Sequence, residues 1–184
     1  MAANPIETDV AKAWPQPLPL NDVRKEAVRR HLVADEAARA RIAKVLGLDK
    51  LIALDAEITV KPWLDGVEIG GTWTARVEQT CGVTLEPFES ALDGRLQIRA
   101  VPEGSQALAV TEDHEVEMDL ESDDPPDMIS GDHVDLGTYV VEDLSLAIDP
   151  FPRKPGVEFK QPDSGAEISP FAVLAKLKGN LPDA

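Results

Sequence analysis

Apolar and polar side chains alternate with period two through the middle of the chain. Ala56, Ile58 and Val60 alternate with Glu57, Thr59 and Lys61. Val67, Ile69, Trp73, Ala75 and Val77 alternate with Glu68, Thr72, Thr74, Arg76 and Glu78, and Leu92, Leu96 and Ile98 with Arg95, Gln97 and Arg99. This period belongs to strands with one buried and one wet face. Leu64-Asp65-Gly66 reads as the hairpin turn between the first two strands, and Gly70-Gly71 as a bulge or a close backbone approach. Two other stretches carry the helical period. Asp35 caps a helix with Ala38, Ile42, Val45 and Leu46 on one face, Arg39, Arg41 and Lys44 on another, and Gly47 as its stop. Asp135 caps a second helix in which Leu136, Val140, Leu144 and Ala147 recur. Tyr139 and Ile148 widen its stripe, and Pro150 and Pro152 end it. Residues 24–33 carry both signals, with enough charge for a solvated helix and enough β-branching for a strand. The pattern predicts an α+β fold: a mainly antiparallel sheet, open or closing toward a barrel, covered by helices.

The ends read differently. Residues 1–20, with prolines at 5, 15, 17 and 19, predict a flexible, extended N-terminal segment offering at most an edge strand. Residues 21–155 form a single domain, 156–168 a polar linker and 169–179 a short amphipathic helix. In that helix Ser169 is the N-cap, Pro170 occupies the first helical position, and Phe171, Leu174 and Leu177 share a face. A helix this short needs a surface to fold on. That surface is its own domain or, if the helix is a docking motif, a partner.

Charge changes the picture. The formal net charge is −16 over 184 residues, unevenly spread. Residues 1–100 hold 13 Lys and Arg against 15 Asp and Glu, residues 101–184 hold 5 against 19, and no cation occurs between Arg99 and Arg153. From Glu112 to Asp135 the acid is dense. Glu115, Glu117, Asp119 and Glu121 alternate with Val116, Met118 and Leu120, and Asp123 and Asp124 follow in a loop. These carboxylates read as a solvated edge or as a docking face for a strongly basic partner. The calcium-loop spacing, with its central Gly and terminal Glu, is missing. The opposite chemistry lies on the strands: Lys61, Arg76, Arg95 and Arg99 fall on the wet face and could contact RNA, with Trp63 or Trp73 stacking on bases. Ordinary pairing with the many acids is the alternative for these cations.

Other chemistry finds no support. No run approaches the ~18 apolar residues of a membrane span. One cysteine, Cys81, excludes an internal disulfide and fits a reducing cytoplasm. With three scattered histidines (His31, His114, His133), Cys81 does not compose a metal site by spacing. No phosphate loop, nucleophile elbow or zinc-hydrolase motif occurs, so the reading is a protein without catalytic residues, metal or cofactor.

Several of these words also resemble a known family. The residues are Asp135-Leu136 with Glu142, Leu144, Pro150 and Pro152; Cys81, Leu85 and Pro87 between the second and third strands; Ala34–Leu48; and the closing Pro-Phe-Ala-Val-Leu-Ala-Lys-Leu-Lys of residues 170–178. Together they are similar to the YceD family, bacterial proteins named for accumulation of large-subunit ribosomal RNA, with plastid relatives. Many relatives carry a Cys-x-x-Cys at the first of these places and a second pair near the chain end, the grammar of a structural zinc site. Here Thr84 stands where the second cysteine would be, and residues 152–159 contain none. The resemblance implies a cytoplasmic, non-catalytic factor supporting accumulation of large-subunit ribosomal RNA, with that RNA or its precursor as partner. The alternative is an acidic escort that binds a basic ribosomal protein through residues 112–135.

Overall fold

The computed structural model describes residues 10, 12–106 and 125–159. The acidic residues Glu115, Glu117, Asp119, Glu121, Asp123 and Asp124 and the tail residues Pro170, Phe171, Leu174 and Leu177 lie outside them. The chain divides into two units, residues 1–154 and 155–184. Of the second, the described part is residues 155–159, which turn at Gly156 (φ 79°).

The first unit runs β1 (Pro17–Pro19), α1 (Leu20–Val23), β2 (Val28–Val33), α2 (Glu36–Leu46), β3 (Lys50–Trp63), β4 (Gly66–Thr80), β5 (Pro87–Pro102), β6 (Asp127–Ile129), β7 (His133–Asp135) and α3 (Leu136–Ala147). Among the described residues, five strands make one sheet in the order β2-β3-β4-β5-β6. Every pairing is antiparallel except the short parallel contact of β6 with β5. The sheet stays open rather than closing toward a barrel, because β2 pairs only with β3 and the opposite edge, β6, offers three residues. The ambiguous residues 24–33 resolve as the edge strand β2. Strands β1 and β7 pair in a separate two-stranded ribbon.

The alternation read from the sequence sets the two faces. Leu54, Ala56, Ile58 and Val60 of β3 sit beside Ala75, Trp73, Ile69 and Val67 of β4, and Leu96 and Ala100 of β5 complete the layer. The helices cover this face. The Asp35 side chain accepts the Ala38 N–H at 2.7 Å, and α2 then buries Ala38, Ile42 and Ala43 before Gly47 stops it in the left-handed region (φ 66°). In α3 the Asp135 carboxylate accepts from Gly137 N at 3.0 Å. Leu136, Gly137, Val140, Val141 and Leu144 are buried, whereas Ala147, expected in the stripe, is exposed at the helix end. The Trp73 indole N–H donates to Asp143 of α3 at 2.6 Å, fastening the lid to the sheet. Tyr139 of α3 is held well above the ordinary phenol range, first by burial and then by the Asp127 carboxylate it meets.

The glycines explain how tightly these layers approach. The hairpin turn is made by Leu64 (φ 51°) and Asp65, while Gly66 is already in β4 with its α-carbon against the Ala100 and Val101 backbone. The register through Gly70-Gly71 is regular, and the bulge falls instead between Leu51 and Ala53. A side chain at Gly71 would strike the Glu57 carbonyl and Ile58, so the close approach expected for the pair belongs to Gly71 alone. The N-terminal segment joins the core from Val10 onward: Val10, Ala13, Trp14 and Leu18 are buried. No helix among the described residues is long and apolar enough to cross a membrane.

Candidate nucleic-acid interface

The second face of the sheet carries no helix among the described residues, and the strand registers place its side chains in rows. Arg29, Thr59, Gly70 and Gln97 form one row across β2, β3, β4 and β5. His31, Glu57, Thr72 and Arg95 form the next, and Lys61, Glu68 and Arg99 a third on the other side. Neighbouring strands lie about 4.8 Å apart and same-face residues within a strand about 6.7 Å, so Lys61 and Arg99 share a row about 10 Å apart and Arg95 stands two rows along β5 from Arg99. Lys61 and Arg95 line one groove with Arg29, and Arg76 does not. It is four residues along β4 from Thr72, about 13 Å away, between Ala53 and Ala91 and next to rows holding Asp55, Asp93, Glu78 and Glu89.

Arg29 belongs to the group and was not read from the sequence, because the strand that carries it was ambiguous there. Lys61, Arg95 and Arg29 are exposed, and none of the three has an ion pair or side-chain hydrogen bond among the described residues. Pairing with acids among the described residues therefore does not account for them. Arg99 is different: its Nε lies 3.7 Å from Glu68, and its guanidinium sits 5.2 Å from the centre of the Trp63 ring. Trp73, the other aromatic weighed for stacking, fills the core. Between the cations is a shallow groove of about 540 Å³, whose floor is Gly70 and whose sides include Arg29, Thr59, Lys61, Thr72, Arg95 and Gln97. Two carboxylates, Glu57 and Glu68, also line it. Each already has a partner, with Glu57 3.8 Å from the His31 imidazole and Glu68 beside the Arg99 guanidinium.

Two of the three basic residues of α2 have other duties. Arg39 donates to the Ala34 carbonyl at 2.7 Å and Arg41 to the Ala13 carbonyl at 3.0 Å, so both hold the N-terminal half of the unit together.

Of the residues that carried the family resemblance, Cys81, Leu85, Pro87, Pro150 and Pro152 gather elsewhere, at the β4–β5 end of the sheet. Cys81 follows β4, its N–H donating to Glu86 O at 2.9 Å and its carbonyl accepting from Leu85 N at 2.9 Å. Leu85 (φ 58°) turns the loop into Pro87, the first residue of β5. The segment after α3 lies against this loop: Gly82 N donates to Pro152 O at 2.9 Å, Lys154 N to the Cys81 sulfur at 3.4 Å, and Lys154 Nζ meets Glu86 at 3.0 Å. Buried Gln79 donates to Asp149 O at 3.2 Å, next to Pro150. Cys81 is 0% exposed. Its cover is its own loop rather than depth in the core, so local donors outweigh desolvation. The Lys154 N–H, the Thr84 hydroxyl and the Thr84 N–H lower its pKa from 9.0 to about 6. The donors present do not fit a zinc ion. Cys81 is the single thiol, Thr84 fills the second position, the opposing segment offers main-chain atoms, and no group of three or more His, Cys, Asp or Glu converges among the described residues. Glu142 and Leu144 lie on α3, half-buried and buried respectively.

Compared with known families, the chain matches the model of the large ribosomal RNA subunit accumulation protein YceD over residues 69–178. The match begins inside β4 and includes the Cys81 loop, β5 with Arg95 and Arg99, and α3; Arg29, Lys61 and the 34–48 segment precede it. No curated protein and no solved structure matches the chain. The family model covers more than half of the sequence, and the chain belongs to the YceD family of large ribosomal RNA subunit accumulation proteins.

Proposed function

We propose that this chain supports accumulation of large-subunit ribosomal RNA by touching that RNA directly, without catalysis, through the open face of its sheet. The observation behind this reading is the cluster of Arg29, Lys61 and Arg95, three exposed cations without partners among the described residues, beside the Arg99–Trp63 pair. In a chain of net charge −16 such a cluster is a local positive patch that an anion can meet. Overall charge repels RNA at long range, but at physiological salt the screening length is about 8 Å. The field an RNA strand feels at this face is therefore set mostly by the local residues. Three phosphate contacts on single-stranded RNA predict a slope of log affinity against log salt of about −2.

The test is ultraviolet crosslinking of the tagged protein in cells, with Lys61→Glu/Arg95→Glu as comparison. Recovery of large-subunit ribosomal RNA by the parent and its loss in the variant are expected. RNA recovery that is indifferent to the double reversal, or recovery of a single basic protein in place of RNA, overturns the reading.

A further inference from the structure

Gly70 has no steric or conformational reason to be glycine. It sits in the middle of β4 with regular register on both sides, and its φ is not in the left-handed region. A β-carbon built there meets only the Leu96 carbonyl oxygen, at 3.8 Å, an ordinary contact. Other glycines of the sheet differ: Gly66 and Gly71 face neighbouring backbone, and a β-carbon on Gly94 would lie 2.5 Å from the Trp73 ring. Glycine weakens a strand interior relative to residues with a side chain, so at position 70 the fold tolerates a loss that packing does not require. What the missing side chain creates is the floor of the groove on the open face.

The walls of that hollow are chemically graded. Thr59 and Gln97 flank Gly70 in its own row, and each can both donate and accept hydrogen bonds. Glu57 and Glu68 add acceptors at the edge, and Arg29, Lys61 and Arg95 stand around them. Neutral polar groups next to a flat bare floor, with cations outside, match a planar heterocycle on the floor and phosphates at the rim. A free phosphate has nothing to hold it at the floor, because the strand N–H groups there are taken up by the ladder. We infer that the hollow over Gly70 seats one unstacked base of a single-stranded RNA segment, with Arg29, Lys61 and Arg95 on the adjoining phosphates. This rests on the reading of the open face as the RNA-contacting surface.

Gly70→Thr tests it, because threonine is a good strand former whose branched side chain fills the hollow. Gly70→Ala serves as the milder variant if threonine disturbs the fold, and thermal unfolding followed by circular dichroism checks both. Binding is measured by fluorescence anisotropy with a short oligouridine and with the same oligonucleotide carrying abasic positions. Gly70→Thr is expected to weaken oligouridine binding about tenfold, within the range for losing one base contact, and to leave abasic binding unchanged. Equal oligouridine binding by parent and Gly70→Thr, with loss in Lys61→Glu/Arg95→Glu, overturns the base seat and leaves the open-face reading standing. Equal weakening toward the intact and abasic strands also overturns the seat. Failure of the parent to bind either strand, or indifference to the charge reversals, overturns both.

Discussion

Asp143→Ala removes the acceptor of the Trp73 indole N–H, a 2.6 Å bond between the lid helix and the sheet. Trp73 is 1% exposed, so with Asp143 truncated its indole N–H loses the partner it has in the folded chain. A hydrogen bond to a charged acceptor contributes about 1.5–3 kcal/mol, and a buried donor left alone costs about 1–3 kcal/mol. These are one loss seen from two sides, giving about 2 kcal/mol. With a urea dependence of about 1.5 kcal/mol/M, the unfolding midpoint falls by about 1.3 M. Far-ultraviolet circular dichroism is the suitable signal, since Trp73 is one of three tryptophans and its own emission changes with the substitution. Asp143→Asn keeps an oxygen acceptor without the charge and loses about half as much. Trp73→Phe deletes the donor, so adding Asp143→Ala to it costs little further, with a coupling of about 1.5 kcal/mol. A midpoint for Asp143→Ala indistinguishable from the parent, or strict additivity in the cycle, refutes the idea that this bond fastens the lid.

Three further outcomes follow from the described contacts. Gly94→Ala places a methyl 2.5 Å from the Trp73 ring and costs about 1–3 kcal/mol by overpacking, measured by the same titration; a neutral result means the ring has room to move. The Cys81 thiol, lowered to about 6 from 9.0, contributes stability that is present above pH 9 and is lost as pH falls through 6. Cys81→Ser should flatten that part of the stability profile, and parallel parent and variant curves between pH 6 and 9 would count against the thiolate. His31 is raised above 6.5 first by its hydrogen bond to Asp55 at 2.9 Å, so its contribution is present below pH 6.5 and is lost as pH rises through the raised value. Asp55→Asn should lower the imidazole midpoint seen by nuclear magnetic resonance, and an unmoved midpoint would dismiss the pair.

Strands β3, β4 and β5 were legible because each keeps one face wet over many residues, and a two-residue period survives any detail of pairing. Both capped helices were legible for a similarly local reason, since Asp35 and Asp135 act on N–H groups two or three residues away. Strand β2 was not, because an edge strand covered on one side exposes Arg30 even where its row faces the core, and the alternation blurs. Assigning the role of the Gly70-Gly71 pair needed the register: the two residues look equivalent in the chain, yet one faces the Glu57 backbone and the other faces open space. The contact of Cys81 with Lys154 joins residues 73 apart through a main-chain N–H, which no side-chain pattern announces. Of the candidate interface, Lys61, Arg95 and Arg99 were readable from strand parity alone. Arg76 shares their parity but does not line the groove with Lys61 and Arg95, and parity carries no information on that.

The seating of residues 14–19 has a consequence for synthesis. Gln16 donates its N–H to the Asp135 carboxylate and accepts from Leu136 N, a partnership across 119 positions, while Gly137 fits under the Trp14 carbonyl. On a translating ribosome the early strap must wait for its dock, about 6–24 s at about 5–20 residues per second. Throughout that delay Trp14 and Leu18 lack their final cover. The nascent chain is thus exposed to misassociation longest at its leading end, and stalling before codon 135 should leave that end open to a protease that spares the finished molecule.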